Sequence, residues 1–164
     1  MSGQDERGFP AEEAEEESGE QVIARLWEQN YDESTAALLD LLPFRDDWRC
    51  LDLGAGTASM ARWMARRVER GSVLAVDIDT SLIDPSGPPN LTVKQLDLTA
   101  EDFAEESFDL ILARAIFSQL PDPDAYLARS ARWLAPGGWL LVEDFCFMPA
   151  AQATTEIGRV VIDA

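Results

Sequence analysis

The chain has 164 residues, enough for one domain with a substantial buried core, and holds 31 acidic residues, 13 basic residues and no histidine. Its formal net charge of −18 argues against a nucleic-acid partner, because proteins that bind phosphate backbones present a basic surface. No apolar run approaches the roughly 20 residues that span a membrane, and the amino terminus lacks a signal-peptide pattern, so we expect a cytoplasmic location without membrane attachment.

The amino-terminal region divides into an acidic segment and two predicted helices. Residues 1–17 are rich in glutamate and poor in apolar side chains, a composition typical of a disordered tail. Apolar residues at helical spacing then predict helices over Glu20–Gln29 and Ser34–Leu42. We therefore expect cap helices within residues 18–43 and a single α/β domain over residues 44–164.

From residue 48 onward, short apolar runs alternate with helical patterns, as in a parallel sheet whose strands are joined by helices. The predicted strands, in chain order, are Trp48–Leu53, Ser72–Asp77, Leu91–Leu98, Phe108–Ala113 and Trp139–Phe145. One helix is predicted over Thr57–Arg70, and another starts in the segment Pro121–Asp124 with an aspartate as its cap. Between strands two and three, the prolines leave room for one helical turn near Ser81–Asp84.

The most informative motif joins the first strand to the helix behind it. Residues 50–56 read Cys-Leu-Asp-Leu-Gly-Ala-Gly, so a buried strand ends in a glycine turn directly before a helix. Glycines let the backbone approach a ligand, and free N–H groups at a helix start attract anions. Asp77 ends the next strand and can accept hydrogen bonds from both ribose hydroxyls. The pattern predicts a site for a cofactor that contains a nucleoside.

Two other interpretations of the glycine turn were weighed. An ordinary tight turn between a strand and a helix also uses a Gly-x-Gly pair. A nicotinamide dehydrogenase needs a third glycine, where this chain has Ser59, and a second mononucleotide-binding half, which the sequence lacks. The dehydrogenase interpretation is therefore disfavoured.

Five segments resemble, in the same order, the motifs of the class I S-adenosylmethionine-dependent methyltransferases. They are Leu51–Thr57, Val76–Asp79, Val93–Leu98, Phe108–Arg114 and Leu134–Val142. They occur in order within residues 48–145, about three fifths of the chain. One departure is Ala58, at a place where family members usually carry a further glycine. We expect its methyl group to be tolerated if Ala58 already lies in the helix.

The resemblance implies a doubly wound, Rossmann-like α/β fold with a mostly parallel sheet in the order 3-2-1-4-5. It also implies S-adenosyl-L-methionine as cofactor and a small molecule as methyl acceptor. The family sheet continues past strand five with an antiparallel pair, for which this chain has too few residues. We therefore expect a shortened form with an exposed fifth strand, through which a homodimer could form. The alternative is a truncated, non-catalytic cofactor-binding or interaction module.

The resemblance also implies which residues hold the cofactor at the first two strands. The backbone of Gly54, Ala55 and Gly56 would face the methionine moiety. Asp52 would orient the ammonium group of that moiety, through water if the distance requires it. Asp77 would bind the ribose hydroxyls, and charge-assisted hydrogen bonds of this kind contribute about 1.5–3 kcal/mol each.

Five further residues complete the predicted cofactor site. Ile78 follows the ribose-binding acid, Asp97 would accept a hydrogen bond from the adenine amino group, and Leu98 would pack against the ring. Tyr31 would cover the cofactor, although it could equally pack inside a helix hinge. Arg114 would line the methionine pocket, although a surface arginine is an equally good interpretation.

A catalytic base is harder to identify. The chain has no histidine, the commonest proton acceptor near neutral pH, and Gln119 stands where relatives often carry one. Glu143 and Asp144, at the end of strand five, would serve only if burial raised a pKa. We therefore assign no catalytic residue from the sequence, and we predict no metal site.

Overall fold

The computed structural model describes residues 18–144, which form a five-stranded parallel sheet with helices on both faces. The strands, in chain order, are β1 (Arg49–Leu53), β2 (Ser72–Asp77), β3 (Leu91–Gln95), β4 (Phe108–Arg114) and β5 (Leu134–Glu143). The helices are α1 (Gly19–Leu39), α2 (Ser59–Arg67) and α3 (Pro123–Trp133), with a 3₁₀ turn over Phe117–Gln119. The strand order across the sheet is β3-β2-β1-β4-β5, which confirms the predicted doubly wound fold.

The central strand β4 shows why the sheet needs cover on both faces. Its residues Leu110, Ile111, Leu112 and Ala113 are all fully buried. Leu110 and Leu112 pack into the core that includes α2, whereas Ile111 and Ala113 pack into the core that includes Trp133 of α3. Successive side chains of a strand point to opposite faces, so a strand covered on both sides is apolar at nearly every position.

The strand register brings the functional ends of the strands together. Leu53, the last residue of β1, pairs with Val76 of β2 on one side and with Ala113 of β4 on the other. All of these pairings are parallel, so the carboxyl ends of β1, β2 and β4 meet at one edge of the sheet. The glycine turn, Asp77 and Arg114 therefore lie at that same edge.

The amino-terminal region differs from its prediction, because one continuous helix replaces the two expected helices. α1 contains the polar residues Asn30, Tyr31 and Asp32, which had been interpreted as a break. The Asn30 side chain donates to the carbonyl of Leu26 at 2.6 Å, so its polar group is satisfied within the helix. With neither glycine nor proline in this stretch, nothing in the backbone ends the helix there.

A capping box begins α1. The side chain of Ser18 accepts a hydrogen bond from the N–H of Gln21, and the N–H of Ser18 donates to the Gln21 side chain at 2.7 Å. These two bonds satisfy backbone donors that a helix start otherwise leaves without partners. The start of α1 is therefore defined locally.

Other element boundaries also differ from the prediction. β5 starts at Leu134 instead of Trp139, because the segment before Trp139 pairs with β4 through a register shift between Phe108 and Leu110. The segment Ser81–Asp84 forms a turn and not a helical turn, with the Ile83 N–H donating to the carbonyl of Thr80.

β3 and α2 are shorter than predicted. β3 ends at Gln95 and α2 spans Ser59–Arg67. Two predictions lie outside the described residues. One is the acidic tail over residues 1–17, and the other is the lack of strands beyond β5. Within residues 18–144, no helix combines the length and the apolar character that a membrane crossing requires.

Candidate functional site

The turn after β1 has a backbone conformation that favours glycine. Gly54 and Gly56 have φ values of 66° and 58°, in the left-handed region that glycine populates without steric cost. A Cβ atom at Gly54 would approach Cδ1 of Ile116 to 3.0 Å, whereas a Cβ atom at Gly56 would meet nothing within 4 Å. Gly56 therefore leaves open space above its backbone, into which a ligand can fit.

Ala58 lies in the same turn and not in the helix. Its φ of 61° and ψ of 27° are again left-handed, and it stands as the residue that caps α2. We expected its methyl group to be tolerated if Ala58 already lay in the helix, and this condition is not met. A left-handed conformation costs a non-glycine residue roughly 1–2 kcal/mol. Burial of the methyl group, worth about 0.8 kcal/mol, offsets part of that cost.

The carboxylate of Asp77 closes the turn from the side of β2. The N–H of Gly56 donates to Oδ2 of Asp77 at 2.8 Å, and the N–H of Asp79 donates to Oδ1 at 3.1 Å. The N–H of Ala55 donates to the carbonyl of Val76 at 3.0 Å. These bonds hold the tips of β1 and β2 together, and the Asp77 oxygens keep lone pairs for a further donor.

Asp52 is a buried acid beneath this turn. It is 2% exposed, and its Oδ2 accepts no hydrogen bond from residues 18–144. Burial raises the pKa of Asp52 to about 7, although the charge of Arg114 and a hydrogen bond from the Ala61 backbone act in the opposite direction. Buried polar atoms nearly always have a partner, so Asp52 is the group whose hydrogen bonding a ligand or a water molecule would complete.

A cavity of about 340 Å³ lies above the glycine turn, and we call it the first cavity. Six of the ten residues predicted to hold the cofactor line it: Gly54, Ala55, Gly56, Asp77, Ile78 and Arg114. Side chains from α1, Trp27 and Glu28, form another wall. The hydroxyl of Thr57 donates to Glu28, which joins the helix to the turn. Sequence reasoning missed Trp27 and Glu28, although Trp27 precedes Tyr31 by one helical turn.

The remaining predicted residues do not line the first cavity. Asp97 is exposed, and its Oδ1 accepts hydrogen bonds from the N–H of Thr99 at 2.8 Å and from its hydroxyl at 2.6 Å. These bonds lower the pKa of Asp97. Leu98 is buried in the core that includes α3. Binding of adenine by these two residues stays a prediction.

A second cavity, of about 330 Å³, adjoins the first. The two share Trp27, Arg114 and Ala115, and Tyr31 lines only the second. The rings of Trp27 and Tyr31 lie with centroids 4.5 Å apart and planes tilted by 39°. The carboxylates of Glu143 and Asp144 and the side chain of Val142 complete the lining.

A polar network holds α1 over both cavities. Arg114 Nη1 donates to Oδ1 of Asp32 at 2.8 Å and to Oγ1 of Thr35 at 3.3 Å. The Thr35 hydroxyl donates to Oε2 of Glu143 at 2.6 Å. Thr35 is fully buried, so these bonds lie where unpaired polar groups are costly. No pattern in the sequence marks Thr35, because its partners lie on β4 and β5.

The strand order, the glycine turn and the acid at the tip of β2 define a Rossmann-like domain, a class whose members bind ligands at the carboxyl ends of the strands. A family model described as a methyltransferase domain matches residues 23–158, so the chain belongs to that methyltransferase family.

Several proteins and structures similar to this chain are named as methyltransferases. Methyltransferase str2 of Strobilurus tenacellus is 35% identical over 105 residues, which cover 63% of this chain and 38% of that protein. The trans-aconitate 2-methyltransferase of Deinococcus radiodurans is 34% identical over 106 residues, covering 63% and 40%. The crystal structure of coclaurine N-methyltransferase bound to N-methylheliamine and SAH superposes with a TM-score of 0.60 at 27% identity, covering 69% of this chain and 35% of that chain. The match therefore spans about two fifths of the length of the two curated relatives.

Proposed function

We propose that this chain binds S-adenosyl-L-methionine in the first cavity and transfers a methyl group to a small-molecule acceptor. The observation that carries the proposal is the 2.8 Å hydrogen bond from the Gly56 N–H to Asp77, which sets a glycine backbone beside a carboxylate on one cavity. Membership of the methyltransferase family supports it, as does the SAH bound in the structure of coclaurine N-methyltransferase.

The residues of the first cavity fit this cofactor. The open space above Gly56 would accept the ligand, and Asp77 would bind the ribose hydroxyls with Ile78 beside it. Asp52 holds a buried oxygen without a partner among residues 18–144, below the place proposed for the ammonium group. When bound, the cofactor supplies an electrophilic methyl group on a sulfonium sulfur.

The contribution of this chain to methyl transfer is positional. Holding two reactants in the productive geometry removes much of the entropic barrier to a bimolecular step. The glycine turn and Asp77 would fix one reactant, while Trp27 and Glu28 of α1 would cover it and restrict water. No side chain is assigned as a base, so acceptor activation is left to the chemistry of the acceptor.

We also propose a homodimer formed through the edge strand β5 and a cytoplasmic location for the protein. Trp139 and Val142 on β5 are 43% and 39% exposed, which supports a homodimer formed through this edge strand. The acidic composition supports a small-molecule acceptor in place of a nucleic acid, and a cytoplasmic location is proposed from the sequence alone.

Isothermal titration with S-adenosylhomocysteine tests the cofactor site. We expect wild-type protein to bind, and Asp77→Asn to bind at least about tenfold more weakly, which corresponds to about 1.4 kcal/mol, because the acceptor loses its charge. The matched control is Asp79→Asn, since Asp79 caps the next turn by accepting from the Ser81 N–H at 2.8 Å and does not line the cavity. Absence of wild-type binding, or equal losses in both variants, would contradict the proposal.

Turnover separates the enzyme from the alternative of a non-catalytic module. Protein that binds S-adenosylhomocysteine is incubated with S-adenosylmethionine carrying a labelled methyl group and with fractionated small molecules. Label in a small-molecule product supports the enzyme. Binding without transfer to any fraction supports the cofactor-binding module.

A further inference from the structure

The protein surroundings of Asp52 disfavour the charged form of its side chain. Asp52 is 2% exposed, and its Oδ2 accepts no hydrogen bond from residues 18–144. A carboxylate removed from water without donors to both oxygens is costly, so a carboxyl group in such a place tends to keep its proton. We infer that the ammonium group of the cofactor displaces this proton, so that cofactor binding releases a proton from Asp52 to the solvent. The inference rests on the proposed function, because it describes how pH regulates that same site.

The charged groups around Asp52 compensate its charge only in part. Arg114 of β4 favours the carboxylate, but its Nη1 donates to Oδ1 of Asp32 at 2.8 Å. Asp32 of α1 and Asp77 of β2 act in the opposite direction and favour the protonated form. From α2, the backbone N–H of Ala61 stabilises the carboxylate. Burial outweighs the stabilising contributions and raises the pKa of Asp52 to about 7.

The position of Asp52 makes it sensitive to a cation in the first cavity. Asp52 lies in β1 two residues before Gly54, and the turn over Gly54 and Gly56 lines that cavity. Arg114 lines the same cavity, and its charge acts on Asp52. Charges interact more strongly inside a protein than in water. An ammonium group bound beside the glycine turn would therefore stabilise the carboxylate of Asp52 and lower its affinity for the proton.

Proton release makes the affinity for the cofactor rise with pH. Below about pH 7, binding must first remove the proton of Asp52, and each lower pH unit then weakens binding by up to about tenfold. Well above pH 7, Asp52 is ionised before binding, so the affinity no longer changes. The chain has no histidine, so few other groups titrate in this range. The amino-terminal amine is one of them, and it is the same in wild type and in every variant.

Two ligands that differ in the ammonium group test the inference with wild-type protein. S-adenosylhomocysteine carries the amino acid moiety, whereas 5′-methylthioadenosine has the nucleoside and the thioether without it. We expect S-adenosylhomocysteine to bind about tenfold more weakly at pH 6 than at pH 8, and 5′-methylthioadenosine to bind equally at both. Equal affinities of S-adenosylhomocysteine at the two pH values, or the same pH dependence for both ligands, would overturn the inference alone. Absence of S-adenosylhomocysteine binding at pH 8 would overturn the proposed function.

Titration calorimetry in buffers of different ionisation enthalpy measures the released protons directly. At pH 7 we expect wild type to release about 0.5 proton per S-adenosylhomocysteine bound, because about half of Asp52 is then protonated. Asp52→Asn should release close to none and bind with an affinity that does not depend on pH. Glu105→Gln is the control, since it removes a charge from an exposed loop before β4 and should release protons as wild type does. Equal proton release by wild type and Asp52→Asn would overturn the inference, and the two-ligand comparison decides if Asp52→Asn fails to fold.

Discussion

Asp52 and Asp77 are carboxylates on neighbouring strands whose surroundings set opposite roles. Asp52 lies inside β1, where both faces of the sheet are covered, and burial is the largest cause of its raised pKa. Asp77 lies at the tip of β2, where backbone N–H groups of Gly56 and Asp79 reach it. The same side chain is thus a buried group with one oxygen lacking a partner among residues 18–144 in one position, and a hydrogen-bonded group at a strand tip in the other.

Asp52 should make stability depend on pH. Its pKa of about 7 in the folded chain exceeds the ordinary value of 3.8, so the folded state holds the proton more tightly. The stabilisation is complete below about pH 4 and is lost as the pH rises towards 7. Asp52→Asn should therefore be more stable than wild type above pH 7, by up to about 4 kcal/mol at 1.36 kcal/mol per pH unit. The gain should vanish at acidic pH.

Urea unfolding of both proteins at about pH 4.5 and pH 8 checks this prediction. The test uses the difference in the free energy of unfolding between wild type and Asp52→Asn, because the other carboxylates titrate equally in both proteins. A free-energy difference that stays the same at the two pH values would show that Asp52 does not titrate as its burial implies. Substitution of an exposed acid, Glu105→Gln, serves as the control for the loss of one negative charge.

At the level of the elements, α1 determines how the site is covered. Its attachment combines Leu39, which is fully buried in the core, with the polar network around Thr35. Several of its apolar side chains are instead exposed, among them Ile23, Leu26 and Leu38. The position of α1 over the two cavities thus depends strongly on a few buried polar contacts.

Removal of the Thr35 hydroxyl should loosen α1. Thr35→Val keeps the shape of the side chain but removes the hydroxyl that donates to Glu143 and accepts from Arg114, which should cost about 1–3 kcal/mol. Hydrogen exchange should accelerate in residues 19–39 more than in β4. Ser34→Ala is the control, because the exposed Ser34 hydroxyl bonds only to the Tyr31 carbonyl in its own helix. Equal exchange in both variants would rule out an anchoring role for the network.

At the scale of the whole molecule, Gly71 determines how closely the chain that links α2 to β2 approaches the start of β1. A Cβ atom there would lie 2.0 Å from the carbonyl oxygen of Trp48, and the next residue, Ser72, donates its N–H to that same oxygen at 3.1 Å. This close approach brings β2 beside β1 in the observed register. The positions of the glycine turn and of Asp77 relative to each other therefore depend on a residue at the opposite end of the strands.

Gly71→Ala should destabilise the whole domain. The methyl group would collide with backbone, which cannot give way as a flexible side chain does, so we expect a loss of roughly 3 kcal/mol. Gly87→Ala is the matched control, since its Cβ atom would make an ordinary contact at 3.4 Å with Leu91. Thermal unfolding should show a large decrease for the first variant and little change for the second. Similar melting temperatures would contradict the role of Gly71.

Much of the fold was predictable because its signals are local. The run Ser72–Asp77 is β2 with the predicted boundaries, and the apolar residues after Phe108 form the central strand. The glycine turn and Asp77 were likewise marked by residue type and spacing. The two-helix prediction for residues 18–43 was wrong, because hydrogen bonds such as that of Asn30 are compatible with a continuous helix.

The sequence by itself determined the positions of most strands, of the helices after β1 and before β5, and of the glycine turn, since residues near one another in the chain specify these features. Only the tertiary structure decided which side chains share a cavity. Thr35 and Glu143, separated by 108 positions, meet because α1 packs across the ends of β4 and β5. Contacts of this kind follow from packing between elements, and neither periodicity nor motif spacing contains that information.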